Sequence, residues 1–115
     1  MSPLNLALNY MKIVYTSEDY DQLNNVLNQE CLFSGPLYTF SSAQSYINSL
    51  KKDPPVDFKY EIINSYQDEN SACLIYNFRK PGIETTMAQV FEVSQNKITS
   101  IQLIFDVTPF LDGKT

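Results

Sequence analysis

The side chains able to do chemistry are few in kind. The chain has no histidine, which excludes Ser-His-Asp and Cys-His nucleophile systems and most zinc sites. Its two cysteines, Cys31 and Cys73, stand among apolar neighbours in Cys31-Leu32-Phe33 and Ala72-Cys73-Leu74. Neither has an adjacent cation to draw out a thiolate, so both read as small buried hydrophobes. The carboxylates lack the spacing of an EF-hand loop: Asp19-Tyr20-Asp21 reads as a helix start and Asp68-Glu69 as part of a turn. No metal and no cofactor are expected. What remains are tyrosine hydroxyls and side-chain amides. Gln89 and Asn77 stand inside apolar, strand-like stretches, where a polar amide must find partners. A phenol, with an ordinary pKa of about 10, donates a hydrogen bond more readily than it takes a proton. The chemistry on offer is donation to a ligand oxygen, without the tuned acid or base that proton transfer at carbon requires.

Charge and composition narrow the partners. Eight Lys+Arg oppose thirteen Asp+Glu for a net charge of −5, so neither nucleic acid nor an anionic membrane is expected as a partner. With 43% hydrophobic residues, eight tyrosines and seven phenylalanines, the chain is too apolar for disorder. Its 115 residues suit one domain, 1–115, that hides roughly two-thirds of its unfolded surface. No apolar run nears the roughly 20 residues that span a bilayer. Met1-Ser2-Pro3-Leu4-Asn5 carries no basic region and no long apolar stretch, so a cytoplasmic location without a secretory leader is expected. A disulfide is then not expected either.

The elements that must position these groups follow from periodicity. Ser2-Pro3 is a helix start, a capping side chain followed by proline. Leu4, Ala7, Leu8, Met11, Val14 and Tyr15 then recur at helical spacing. Thr16-Ser17-Glu18-Asp19 breaks that helix and caps a second, with the stripe Tyr20, Leu23, Val26 and Leu27. Cys31-Leu32-Phe33 reads as a short strand and Gly35-Pro36 as a turn or bulge. Ser41 with Gln44 forms a capping box for a third helix through Ala43, Tyr46, Ile47 and Leu50. Lys51 and Lys52 suit its C-terminal dipole, and Pro54-Pro55 stops it.

Beyond Pro55 the period becomes two. Phe58 to Tyr66, Ala72 to Arg79, Glu84 to Val93 and Lys97 to Val107 read as four long strands, with turns at Asp68–Ser71, Lys80-Pro81-Gly82 and Gln95-Asn96. This is an α+β pattern, with three helices on one face of a curved antiparallel sheet. Both faces of the later strands carry apolar residues. The helices can cover one; a homodimer through the sheet is expected to cover the other.

Three stretches resemble the nuclear transport factor 2-like superfamily, in particular its SnoaL-like and ketosteroid-isomerase-like branch. They are the helix pair from Asn9-Tyr10-Met11 to Asp19-Tyr20-Asp21-Gln22-Leu23, the strand Cys31-Leu32-Phe33-Ser34-Gly35-Pro36-Leu37, and the hairpin from Val90-Phe91-Glu92-Val93 through Lys97-Ile98 to Phe105-Asp106. The resemblance covers about Leu4 to Phe110. It implies a cone-shaped, cystatin-like fold, a deep apolar pocket between the concave sheet face and the helices, and dimerisation on the convex face. Members of that superfamily include isomerases, cyclases, dehydratases, epoxide hydrolases and binding proteins without chemistry, so the pocket residues must decide.

Those positions lack the family's acids and bases. Steroid isomerases of this fold carry a general-base Asp before the strand proline, where this chain has Gly35. Their protonated acid falls at Gln89, and their hydrogen-bonding Tyr at Tyr10 or its neighbour Met11. The Asp-Arg-Asp set of limonene-type epoxide hydrolases falls at Leu103 and near Ile75-Tyr76-Asn77. Asp106 matches a residue with no catalytic role and reads as a capping carboxylate. Steroid isomerisation and epoxide hydrolysis are therefore expected to be absent, and no catalytic residue is assigned. The expected pocket holds a small hydrophobic ligand and is lined from Tyr10, Met11, Val14, Phe33, Gly35, Ile47, Asn77, Gln89, Leu103 and Phe105. An isomerase, lyase or cyclase working through Tyr and Gln donors, and a dimeric interaction module, are the competing readings.

Overall fold

Ser2 and Pro3 start the first helix as their types require. In the computed structural model, which describes residues 1–112, the Ser2 hydroxyl accepts from Asn5 N at 3.1 Å, and Pro3 opens α1 (Pro3–Thr16). The buried face is Leu6, Ala7, Tyr10, Met11 and Val14. It lies slightly round from the expected stripe, leaving Leu8 on the surface. Leu6, Tyr10 and Val14 form an equally good helical row, and burying Tyr10 is sustainable because its hydroxyl finds partners.

The second helix is a 3-10 helix, Tyr20–Asn25, capped by the Asp19 side chain accepting from Asp21 N at 3.1 Å. Asn24 and Asn25 propagate a helix poorly. Val26 and Leu27 instead turn into the core, and Leu27 opens β1 (Leu27–Ser34), longer than the expected Cys31–Phe33. A two-residue strand, β2 (Thr39–Phe40), folds back on it with Phe40 opposite Phe33. The helix α2 (Ala43–Lys52) is capped by Ser42, one residue later than the expected Ser41, with its hydroxyl accepting from Ser45 N at 3.1 Å.

Four long strands follow: β3 (Lys59–Gln67), β4 (Ser71–Lys80), β5 (Ile83–Ser94) and β6 (Lys97–Ile104). The β5–β6 turn places Gln95 and Asn96 at φ 51° and 66°, the left-handed pair that a two-residue hairpin needs. The sheet has six strands in the order β2-β1-β6-β5-β4-β3. It is mixed, which corrects the antiparallel expectation: β1 runs parallel to β6, with Phe33 opposite Ile101. A parallel pair needs a long crossover, and α2 with the β3–β5 meander supplies it. Register shifts between Ile62 and Asn64 and between Glu92 and Val93 are bulges that bend the strands.

β6 stops at Ile104, short of the expected Val107. Asp106 accepts from Thr108 N at 3.0 Å, and a short helix not foreseen in the sequence, α3 (Thr108–Asp112), follows. On the inner sheet face Leu74, Tyr76, Phe91 and Ile101 are buried with the apolar faces of α1 and α2. The outer face has no helix among the described residues to cover it, and Leu32 and Ile104 there are 55% and 49% exposed. No described helix is long and apolar enough to cross a membrane.

Candidate functional site

Aromatic residues from several elements enclose a cavity of about 990 Å³. β1 contributes Phe33, with Gly35 just beyond it, and α2 contributes Tyr46 and Leu50. Phe78 and Lys80 of β4, Met87 of β5 and Phe105 form the sheet side. Phe58, ahead of β3, and Phe110 and Leu111 of α3 form the margin. Alternation explains the sheet side: Ala72, Leu74, Tyr76 and Phe78 face inward on β4, and Met87, Gln89 and Phe91 oppose that set on β5. The walls support one another. Phe33 stacks on Tyr46 at 4.8 Å, Phe58 meets Phe78 edge-on at 5.2 Å, and Phe105 meets Phe110 at 5.0 Å. A smaller cleft of about 520 Å³ lies between the end of α1 and the Pro54-Pro55-Val56 segment.

Beside this cavity lies a closed polar chain. Tyr76 Oη donates to Gln89 Oε1 at 2.8 Å, Gln89 Nε2 donates to Tyr10 Oη at 3.3 Å, and the Tyr10 and Tyr46 hydroxyls are hydrogen-bonded to each other. Tyr10 is 2% and Gln89 3% exposed. Gln89 is the one fully buried polar side chain other than tyrosine among the described residues, and no described buried side-chain N or O lacks a partner. Burial pushes the Tyr10, Tyr46 and Tyr76 hydroxyls well above the ordinary phenol range, and Tyr15 up to about 12. Burial likewise pushes the Cys31 thiol up to about 11. All of these groups are protonated at neutral pH. Tyr46 is the one member of the Tyr76–Gln89–Tyr10–Tyr46 chain that also lines the cavity.

The residues expected to line a pocket divide accordingly. Phe33, Gly35 and Phe105 line the large cavity. Leu103 stands beside it: a Cβ added at Gly35 would lie 3.5 Å from Leu103 Cβ and from Phe33 Cε1. Tyr10, Met11, Ile47 and Gln89 are buried in the core, and Val14 reaches the smaller cleft. Asn77 points the other way. It follows inward Tyr76 on β4, so alternation turns it to the outer face, where Nδ2 donates to Glu84 Oε2 at 2.7 Å. Sequence reasoning missed Phe58, Phe78 and Phe110 as walls. Phe78 was findable from strand alternation; Phe110 belongs to a helix too short to show a period.

The arrangement is poor in acids and bases. Every carboxylate whose side chain is described is exposed, and no described group of three or more His, Cys, Asp or Glu gathers to hold a metal. Gly35, just past the end of β1, and Leu103 of β6, which resemble base positions of two different enzyme types, are neighbours in space and carry no ionisable group.

The chain is similar over nearly its whole length to several solved structures. A protein of unknown function from Cytophaga hutchinsonii, described as NTF2-like, superposes with a TM-score of 0.83 at 24% identity, over 96% of each chain. The fold is that of the nuclear transport factor 2-like proteins. A proposed SnoaL-like polyketide cyclase from Shewanella denitrificans shares this nuclear transport factor 2-like fold with a TM-score of 0.80 at 20% identity, over 97% of this chain and 96% of that one. An epoxide hydrolase of Mycobacterium tuberculosis, described as LEH-like, does so with 0.78 at 16% identity, over 96% and 87%. Neither a protein-family model nor a curated protein matches the sequence. The structures that share the fold include an epoxide hydrolase, a proposed polyketide cyclase and a protein of unknown function, so the likeness fixes the scaffold and leaves the function to the site.

Proposed function

We propose that this chain is a small-molecule-binding protein of the SnoaL-like kind, whose apolar cavity holds a lipophilic ligand without transforming it. One observation carries the reading. Tyr10 and Gln89, which resemble the oxyanion-binding positions of the steroid isomerases, are hydrogen-bonded to each other and to Tyr46 and Tyr76, while the open volume beside them is walled by aromatic and aliphatic side chains. Polar groups already satisfied in the core stabilise the fold and have little left to offer a transition state. A concave site of this volume and lining suits a ligand of drug size. The test pairs two measurements. Turnover of a β,γ-unsaturated ketosteroid and of a terpene epoxide should not rise above background, and a library of lipophilic carbonyl compounds should raise the melting temperature. Turnover at the level of dedicated enzymes would overturn the non-catalytic part, and the isomerase, lyase or cyclase reading would take its place. No ligand-induced shift would overturn the binding part.

A second observation favours a homodimer built on the outer sheet face. Ile75, Ala88 and Ile104 form one cross-strand row there, and Tyr66, Cys73 and Val90 another. Ile104 and Tyr66 stay about half exposed in the single chain. Contiguous apolar surface of this kind marks an interface. If ligands fail to bind and the dimer persists, the chain is an interaction module.

A further inference from the structure

The cavity has a charged margin. Lys80, the last residue of β4, lies opposite Ile83 on the inner side of the sheet. Its Nζ stands 5.3 Å from the ring centroid of Phe58 and 5.3 Å from that of Phe110. Both rings are cavity walls, and Lys80 and Lys52 line the same cavity. Among the described residues neither of these two lysines is in an ion pair. Lys51 is spent on Asp21 at 2.8 Å, and Arg79, one residue before Lys80, stands 4.0 Å from Glu84 on the outer side. Asp53 is the one carboxylate on the described lining, and it is exposed.

We propose that the cavity takes a flat, lipophilic carboxylate, with its ring system against the aromatic walls and its carboxylate on the Lys80 ammonium. The inference rests on the binding reading above and names the ligand class for that site. Aromatic walls favour a flat partner, because offset and edge-on ring contacts add to the area buried. The two rings beneath Lys80 hold its ammonium over the cavity by cation–π attraction, so less side-chain freedom is lost when an anion docks. An anion at an apolar margin meets this charge with less solvent screening than on an open surface. Lys52 adds positive field from the α2 side. A ligand cation would be repelled by both lysines, and a neutral ligand would forgo the charge-assisted contact. The whole chain carries −5, so the attraction is local, acting within about 8 Å at physiological salt.

The test titrates the full chain at neutral pH with three fluorescent probes that share one ring system: pyrenebutyrate, pyrenebutanol and pyrenebutylammonium. Pyrenebutyrate is expected to bind about tenfold tighter than the alcohol, with the ammonium compound weakest. Lys80→Gln should weaken pyrenebutyrate by about tenfold and leave pyrenebutanol within about twofold, whereas Lys80→Arg should keep most of the acid's advantage. Lys52→Gln, which leaves the sheet untouched, should cost the acid about two- to threefold and serves if Lys80→Gln impairs folding. Equal affinity for acid and alcohol, or an equal loss of both in Lys80→Gln, would overturn the carboxylate assignment with the binding reading intact. Binding of none of the three by the folded chain would overturn both.

Discussion

The hydroxyl of Tyr10 on α1 and the hydroxyl of Tyr46 on α2 are hydrogen-bonded to each other, and Gln89 Nε2 reaches Tyr10 from β5 at 3.3 Å. Two helices and the sheet are thereby tied at one buried point. A tyrosine brings a large apolar ring into the core, but only if its hydroxyl is satisfied there. Each of these three groups supplies that condition for the next.

Tyr10→Phe should therefore cost about 1–3 kcal/mol, because it leaves Gln89 Nε2 and the Tyr46 hydroxyl short of a partner in a dry site. Tyr46→Phe should cost a similar amount, and the double variant clearly less than the sum of the two. Urea denaturation of the three variants measures the coupling; strictly additive losses would show that the two hydroxyls act independently.

Alkaline pH should unfold the chain cooperatively. Tyr10, Tyr46 and Tyr76 ionise in the unfolded chain near the ordinary value of about 10 but only well above it in the folded one, and Tyr15 at about 12. The folded state holds these protons more tightly. Stability is therefore whole below about pH 10 and falls as pH rises through the folded-state values. Cys31, raised from 9.0 to about 11, begins the decline slightly earlier. Tyrosinate absorbance followed together with circular dichroism should show the buried tyrosines titrating as structure is lost. Their ionisation with the fold intact would contradict this.

Restoring a carboxylate at the position of the missing base should not restore chemistry. A side chain at Gly35 would meet Leu103 and Phe33 at ordinary contact distance, so Gly35→Asp is expected to fold with a loss of about 1–2 kcal/mol from the apolar surroundings. A positioned base alone is worth roughly 10²–10⁴-fold. With Tyr10 and Gln89 bound to each other, ketosteroid turnover should stay below the bottom of that range, about 10²-fold. A larger gain would mean that the closed polar chain opens to substrate.

Ile104→Asp should turn the proposed dimer into a monomer. Ile104 is about half exposed in the single chain and lies across from Ala88, so in one copy the substitution should change stability by no more than about 0.5 kcal/mol. In a dimer it would bury two uncompensated charges. Sedimentation at micromolar concentration decides; an unchanged assembly would move the interface elsewhere.

The sequence was most legible where one rule governed a long stretch. Two-residue alternation governs all of β4: carried through residue by residue it puts Leu74, Tyr76 and Phe78 on one side and turns Asn77 away, although the apolar neighbourhood of Asn77 suggested a cavity. The stripe of α1 could be drawn through Leu4 and Leu8 or through Leu6 and Tyr10. Both satisfy the helical period, and the choice depends on Gln89, far along the chain. The cavity lies closer to Phe58 and Phe110 than expected because its margin is built by the segment after α2 and by α3. Those pieces are short, and their positions come from tertiary contacts such as Phe110 with Phe78 at 6.0 Å. The parallel place of β1 was illegible for a similar reason: alternation reports which way side chains face and says nothing of strand direction.

That place also sets a timetable for folding. β1 pairs on one side with the two-residue β2 and on the other with β6, which is made only after α2 and three further strands. A chain emerging from the ribosome would carry β1 through most of its synthesis without its long partner, and β3, β4 and β5 would form their hairpins first. The closing step is then a single non-local docking, whose loop-closure entropy is lost before any contact repays it. Folding should be slower than the many hairpins suggest, and until β6 arrives the unpaired edge of β1 is a site open to misassembly.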